Sequence, residues 1–132
     1  MLPLAIKSNN AGDRLVIEPD RPDYWTATLQ CSELHARRRF YELRIDSLPL
    51  FLDGLASNWR GWEGERNWKS LESDVEITAT HNGRGNIALV VTLRNDVVDS
   101  DVTSGWTVRA LLTLDAGTAL DQLAREATLH LR

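Results

Sequence analysis

Val75-Glu76-Ile77-Thr78-Ala79-Thr80-His81-Asn82-Gly83-Arg84-Gly85-Asn86-Ile87-Ala88-Leu89-Val90-Val91-Thr92-Leu93 is the stretch whose reading decides the fold. Val75, Ile77 and Ala79 alternate with Glu76, Thr78 and Thr80, a period of two that puts apolar side chains on one face of a strand. Asn82-Gly83-Arg84-Gly85 supplies hairpin chemistry, because glycine and asparagine tolerate the positive φ that tight turns require. Ile87, Leu89, Val91 and Leu93 then return with the same alternation. An antiparallel hairpin with one apolar face follows.

The pattern extends outward in both directions. After an acidic loop at about 95–105, Trp106, Val108, Ala110, Leu112 and Leu114 alternate as a further strand. Thr118 with Asp121 resembles a capping box, and Leu120, Leu123, Ala124, Ala127 and Leu131 form the stripe of a closing helix. Upstream, Leu48, Phe51, Leu52, Leu55, Ala56 and Trp59 fall on one helical face. Asp46 or Ser47 stands at its cap, Pro49 sits in the first turn, and Gly61 terminates it. Before that helix, residues 2–7 and 14–18 alternate around Asn9, Asn10 and Gly12. Pro19 to Pro22 break the pattern. Trp25, Ala27, Leu29 and Cys31 share one face of the next strand, and a strand over 37–45 is expected with Tyr41, Leu43 and Ile45 inward. Short turns between neighbours imply antiparallel pairing, and each helix needs an apolar surface to cover. The expected fold is α+β: a curved antiparallel sheet of about seven strands with two amphipathic helices packed on one face.

The 132 residues suit a single domain spanning 1–132, and 42% hydrophobic with 26% charged residues is ordinary globular composition. A net charge of -4 argues against nucleic acid or an anionic membrane as the main partner, since both need a basic footprint. No apolar run approaches the roughly 20 residues of a membrane span, and the N-terminus lacks signal-peptide character, so the cytoplasm is the default. The one cysteine, Cys31, reads as a structural thiol. Arg37-Arg38-Arg39 alternates faces on a strand and reads as a solvated edge.

Trp59-Arg60-Gly61-Trp62-Glu63-Gly64-Glu65-Arg66-Asn67-Trp68-Lys69-Ser70-Leu71-Glu72 holds three of the five tryptophans. It resembles the hallmark W-x-G-W-x-G-x-R-x-W-x-S-L-E of an uncharacterised bacterial family of small stand-alone domains, over about residues 46–130. That resemblance implies no activity, because the family has none established. Relatives carry a turn like H-D-G-x-G-H where this chain has His81-Asn82-Gly83-Arg84-Gly85-Asn86, so two groups suited to metal binding or proton transfer are replaced.

Two readings of the segment compete. In the first it is a bracket: Gly61 and Gly64 allow tight turns, Trp59 and Trp62 close the core, and Arg66 or Glu72 ties the loop to the sheet. In the second it is a binding surface in which partly exposed rings stand beside Arg60, Arg66 and Glu65. The candidate binding residues are Trp59, Trp62, Glu65, Arg66, Trp68, Glu72 and His81. An enzyme or small-molecule site would instead be lined by Trp68, Trp106, Arg66, Glu72 and His81, with His81 needing a carboxylate such as Glu63, Glu65 or Glu72.

No cofactor, metal or catalytic signature stands out. His35, His81 and His130 have no ligand spacing, and Asp96, Asp99 and Asp101 do not match a calcium loop. The G-x-S-x-G and phosphate-loop orders are absent. The expected function is a non-catalytic protein-interaction domain, of the immunity or inhibitor kind by analogy. Its partner would be another, basic protein, and a homo-oligomer could form through an unpaired edge at 2–7.

Overall fold

The computed structural model describes residues 2–9, 12–98 and 103–131. In chain order they form β1 (Leu4–Lys7), β2 (Arg14–Pro19), β3 (Tyr24–Cys31), β4 (Leu34–Tyr41), α1 (Ser47–Ser57), β5 (Arg66–Lys69), β6 (Val75–His81), β7 (Asn86–Val98), β8 (Thr103–Asp115) and α2 (Thr118–His130). The deciding hairpin pairs as its alternation requires, with Val75 opposite Leu93, Ile77 opposite Val91 and His81 opposite Ile87. Gly83 and Gly85 hold φ of +73° and +89° in the turn. Asn82 Oδ1 accepts the N–H groups of Arg84 (2.7 Å) and Asn86 (3.1 Å).

The strands make two four-stranded antiparallel sheets, β1-β2-β3-β4 and β5-β6-β7-β8, instead of one curved seven-stranded sheet. Each is a meander in which every hairpin pairs with its neighbour along the chain. The helix that follows β4 interrupts that run, so the second meander starts afresh. Among the described residues, polar contacts join the sheets at two places. At one, Asn9 N–H donates to Thr113 O (2.8 Å) and Thr113 N–H donates to Ser8 Oγ (3.0 Å). At the other, Arg38 Nε–H donates to Arg94 O (2.7 Å) while its guanidinium pairs with Asp74 at 3.0 Å. Edge strands β1 and β4 are thus pinned near opposite ends of β7.

One continuous apolar core lies between these layers. It joins Leu4, Ile6, Leu15, Ile17, Trp25, Leu29 and Phe40 from the first sheet to Ile77, Leu89, Val91 and Leu112 from the second. Leu48, Leu52 and Leu55 of α1 and Leu120, Leu123 and Ala127 of α2 complete it. The helices pack on each other. Residues 46–53 of the first line a cleft with Thr128 and Leu131, whereas Ala56 lies beside Thr118, so the pair runs antiparallel.

Several local expectations are corrected. The fourth strand begins at Leu34 and ends at Tyr41, and its inward phase is Leu34, Ala36, Arg38 and Phe40, opposite Cys31, Leu29, Ala27 and Trp25. Leu43 is 57% exposed, and Ile45 is buried from the loop that leads into α1. The tight turn at Ser32 and Glu33, with Glu33 at φ +60°, sets this register one residue away from the expected phase. Trp59 lies beyond the end of α1 and is half exposed. The central Arg of the basic run points inward to clasp the other sheet, leaving Arg37 and Arg39 outside. The last two strands run much further into the expected acidic loop. Asp96 is a strand residue, and Asp99 and Asp101 lie outside the described residues, as does Asn10 of the first turn.

Neither helix uses the cap its sequence offers. Asp46 makes no side-chain cap bond, and Ser47 Oγ–H donates to Arg44 O (2.6 Å). At α2, Asp115 replaces the Thr118–Asp121 box, accepting the N–H of Gly117 (2.8 Å) and of Ala119 (3.2 Å). These two backbone donors, Gly117 first, hold the Asp115 carboxyl below its usual range.

On the outer face of the second sheet, Glu76 accepts from Arg94 (3.0 Å) and Asn67 (3.1 Å) and lies 3.4 Å from Lys69 Nζ. The bond from Arg94 is the main reason its carboxyl titrates below the ordinary 4.5. The unfolded chain therefore binds this proton more readily than the folded one. The cluster stabilises fully above pH 4.5 and less as pH falls through the lowered native value. Glu76→Gln is expected to cost about 1 kcal/mol at pH 7. In urea titrations at successive pH values, the gap to wild type should narrow in acid; a gap constant with pH would contradict this account.

Candidate functional site

Just past α1, Asn58 Nδ2–H donates to Gly54 O (2.9 Å) and Gly61 N–H donates to Asn58 O (2.9 Å), which turns the chain out of the helix. Gly61 holds φ +140° and Gly64 φ +75°, values that favour glycine. The chain re-enters the second sheet as β5, a strand absent from the sequence reading because its four residues lie inside the tryptophan-rich segment. Arg66 and Trp68 face inward opposite Ala79 and Ile77, and Asn67 and Lys69 face outward.

The three indoles of the segment have three different settings. Trp68 is buried and its Nε1–H donates to Ser47 Oγ (2.9 Å), tying β5 to the first turn of α1. Trp62 is half-buried. Its ring meets His81 edge-on at 5.2 Å between centroids, and the Arg66 guanidinium lies 4.9 Å from its centroid. Arg66 also reaches back to Gly54 O (3.4 Å). Trp59 is 50% exposed, with the Arg60 guanidinium 5.1 Å from its ring. Bracket and surface therefore coexist, divided residue by residue.

His81 is locked by backbone. Gly83 N–H donates to Nδ1 (2.8 Å), so the ring proton resides on Nε2, which donates to Trp59 O (2.8 Å). Both nitrogens are committed, and none of Glu63, Glu65 or Glu72 bonds to the ring. A side chain added at Gly61 would meet this imidazole at 3.5 Å, so the turn packs flat on His81.

The sequence model of a family of unknown function, DUF6228, matches residues 13–132. The chain belongs to that family. The match takes in β2, β3 and β4 of the first sheet as well as the region carrying the tryptophan-rich segment. No curated protein and no solved structure matches the chain. The His81–Asn86 turn has a structural role in this DUF6228 member. Asn82 Oδ1 serves as a backbone acceptor, which an aspartate can do equally.

The remaining candidates do not gather around one pocket. Trp106 lies opposite Asn95, and Leu114 lies opposite Ile87, next in line to His81. Along β8 that separation is eight residue steps, about 26 Å at strand rise. Glu72 is exposed in the turn before β6, and Glu65 is exposed beside Gly64; neither makes a hydrogen bond or ion pair among the described residues. Thus Trp59, Trp62, Arg66 and His81 come together, whereas Trp68, Trp106 and Glu72 stand apart. Cys31 is half-buried at the β3–β4 turn, and burial followed by the nearby Asp13 charge raises its pKa, which disfavours the thiolate. Among the described residues no three metal-ligating side chains converge, and no helix is long and apolar enough to cross a membrane.

Sequence reasoning passed over a second group of residues. Tyr24, Trp25, Glu42 and Ile45 line a cleft with the Pro19–Asp23 turn. The turn was legible only as a break, and the misplaced phase after Tyr41 hid Glu42.

Two substitutions test the bracket. Gly61→Ala must hold a side chain at φ +140° and should destabilise by about 1–3 kcal/mol. Trp68→Phe loses the bond to Ser47 and part of the ring's burial, about 1–3 kcal/mol. Thermal or urea unfolding measures both, and wild-type stability in either would contradict the assigned role.

Proposed function

We propose that the domain is a non-catalytic protein-interaction module whose contact surface is the outward side of the helix pair, centred on Trp59. The observation that carries this reading is the half-exposed Trp59 ring, carried on backbone that His81 holds through the Trp59 carbonyl. It borders a shallow cleft with Ala56, Gly117, Thr118 and Asp121. Backbone held in one place loses little entropy on contact, and tryptophan is prominent among interface hot spots.

The exposed stripes of both helices start or end beside this ring. α1 contributes Leu50, 63% exposed, with Asp53; α2 contributes Asp121 with Leu129, 74% exposed. Isolated apolar residues on a surface are ordinary, but three large ones on one helix layer, interspersed with carboxylates, suit a protein partner. The net charge of -4 would steer a basic partner by long-range attraction. A cytoplasmic inhibitor or immunity-type role is the finer form of this reading. It is supported by size and charge. His81, on which acid–base catalysis would rest, has both nitrogens occupied by backbone.

Affinity capture from the native cell with wild-type, Trp59→Ala and Trp62→Ala baits tests the proposal. Trp59→Ala should keep its melting temperature, because half the ring is already in water, yet recover its partner at least about tenfold less well. Trp62→Ala should lose stability through the contacts to His81 and Arg66. Equal partner recovery with the folded Trp59→Ala bait would overturn the assignment of this ring.

A further inference from the structure

At the opposite end of α1 from Trp59, about 16 Å away by helix length, the Pro19–Asp23 turn and the Glu42–Ile45 segment enclose a cleft of about 410 Å³. That volume falls in the range of small-ligand sites. Tyr24, Trp25, Leu43 and Ile45 form its apolar and aromatic lining. Asp23 is held at φ +66°, and its carbonyl accepts the Glu42 N–H (2.9 Å), so the two walls are fixed to each other.

Glu42 is the unusual member. It is a carboxylate only 6% exposed, in a wall of the cleft. Its one side-chain hydrogen bond is a long one, from Arg44 N–H at 3.4 Å, and it forms no ion pair among the described residues. The neighbouring cations have other first partners, and among the described residues only the Arg44 charge also acts on Glu42. Arg44 forks onto Asp46 (3.1 and 3.4 Å), Arg39 pairs with Asp20 (3.0 Å), and Arg21 lies over the Tyr24 ring (4.8 Å). Trp25, 5% exposed, likewise has its Nε1 without a hydrogen-bond partner among the described residues. A buried carboxylate favours a cationic partner, and the Arg21 and Arg39 guanidinium groups over the Tyr24 ring, at 4.8 and 4.6 Å, show that this aromatic wall accepts such groups.

We propose that this cleft binds an organic cation, a guanidinium or alkylammonium head on an apolar stem, with Glu42 as its counter-ion. The head group sits against Glu42, and the stem lies along Trp25, Leu43 and Ile45. The site is separate from the Trp59 surface and does not depend on it.

The test is titration of the full chain, followed by calorimetry and by the indole N–H resonance of Trp25. The probes are agmatine, N-acetyl-arginine amide and the uncharged butylurea. Saturable binding of either cation below about 10 mM is expected, with butylurea at least about tenfold weaker. Binding of agmatine alone assigns the site to free amines, and binding of the arginine amide assigns it to a side chain presented by a protein. Glu42→Gln should weaken the cations at least about tenfold, and Trp59→Ala should leave them unchanged. No saturable cation binding, equal binding of butylurea, or full binding by Glu42→Gln would each overturn the proposal. Should Glu42→Gln fail to fold, the comparison of cation with butylurea on wild-type protein decides alone.

Discussion

Everything in this structure depends on two alternating sheets sharing one apolar core. Each sheet has one apolar face, and neither can bury that face within itself. The helices complete the enclosure with stripes of leucine and alanine. Removing this shared burial would leave the polar contacts between the sheets, at Thr113 and Arg38, with nothing to align them. Those contacts are directional, and they set how one sheet lies against the other.

The tryptophan-rich segment shows how a single short stretch divides its labour. Trp68 enters the core and carries a hydrogen bond to the first turn of α1, so it couples a helix to a sheet edge. Trp62 contacts both Arg66 and His81, and Gly61 lies flat on the imidazole. With those residues anchored, the chain between them has little freedom, and Trp59 is displayed beside the start of α2. The rigidity that suits a scaffold is also what lets an exposed ring act as an anchor.

The two ends of α1 have contrasting character. One presents an exposed indole among the helix stripes; the other borders a recessed carboxylate with aromatic neighbours. Both arise where an irregular segment meets the end of that helix. Irregular segments at these ends carry backbone in left-handed conformations, at Gly61 after the helix and at Asp23 in the turn that faces its start, and hold side chains at positions that regular elements do not offer.

Element types, the antiparallel hairpin at 75–93 and both helical stripes were legible in the residues, because periods of two and of 3.6 are properties of the local chain. The inward set of the second sheet, from Val75 to Leu114, follows directly from that alternation. The first sheet was less legible after Cys31, since Leu34, Ala36, Arg38 and Phe40 alternate with residues whose polarity does not contrast clearly, and a tight turn decides the phase. Partition into two sheets, the inward turn of Arg38, the Asp115 cap, and the separate fates of Trp59, Trp62 and Trp68 were decided by tertiary structure alone. Each depends on which groups distant in sequence come within hydrogen-bonding or packing distance. Local periodicity holds no information about that. The residues themselves determined what each element had to bury; only the folded arrangement determined which charged and aromatic groups were left at its borders.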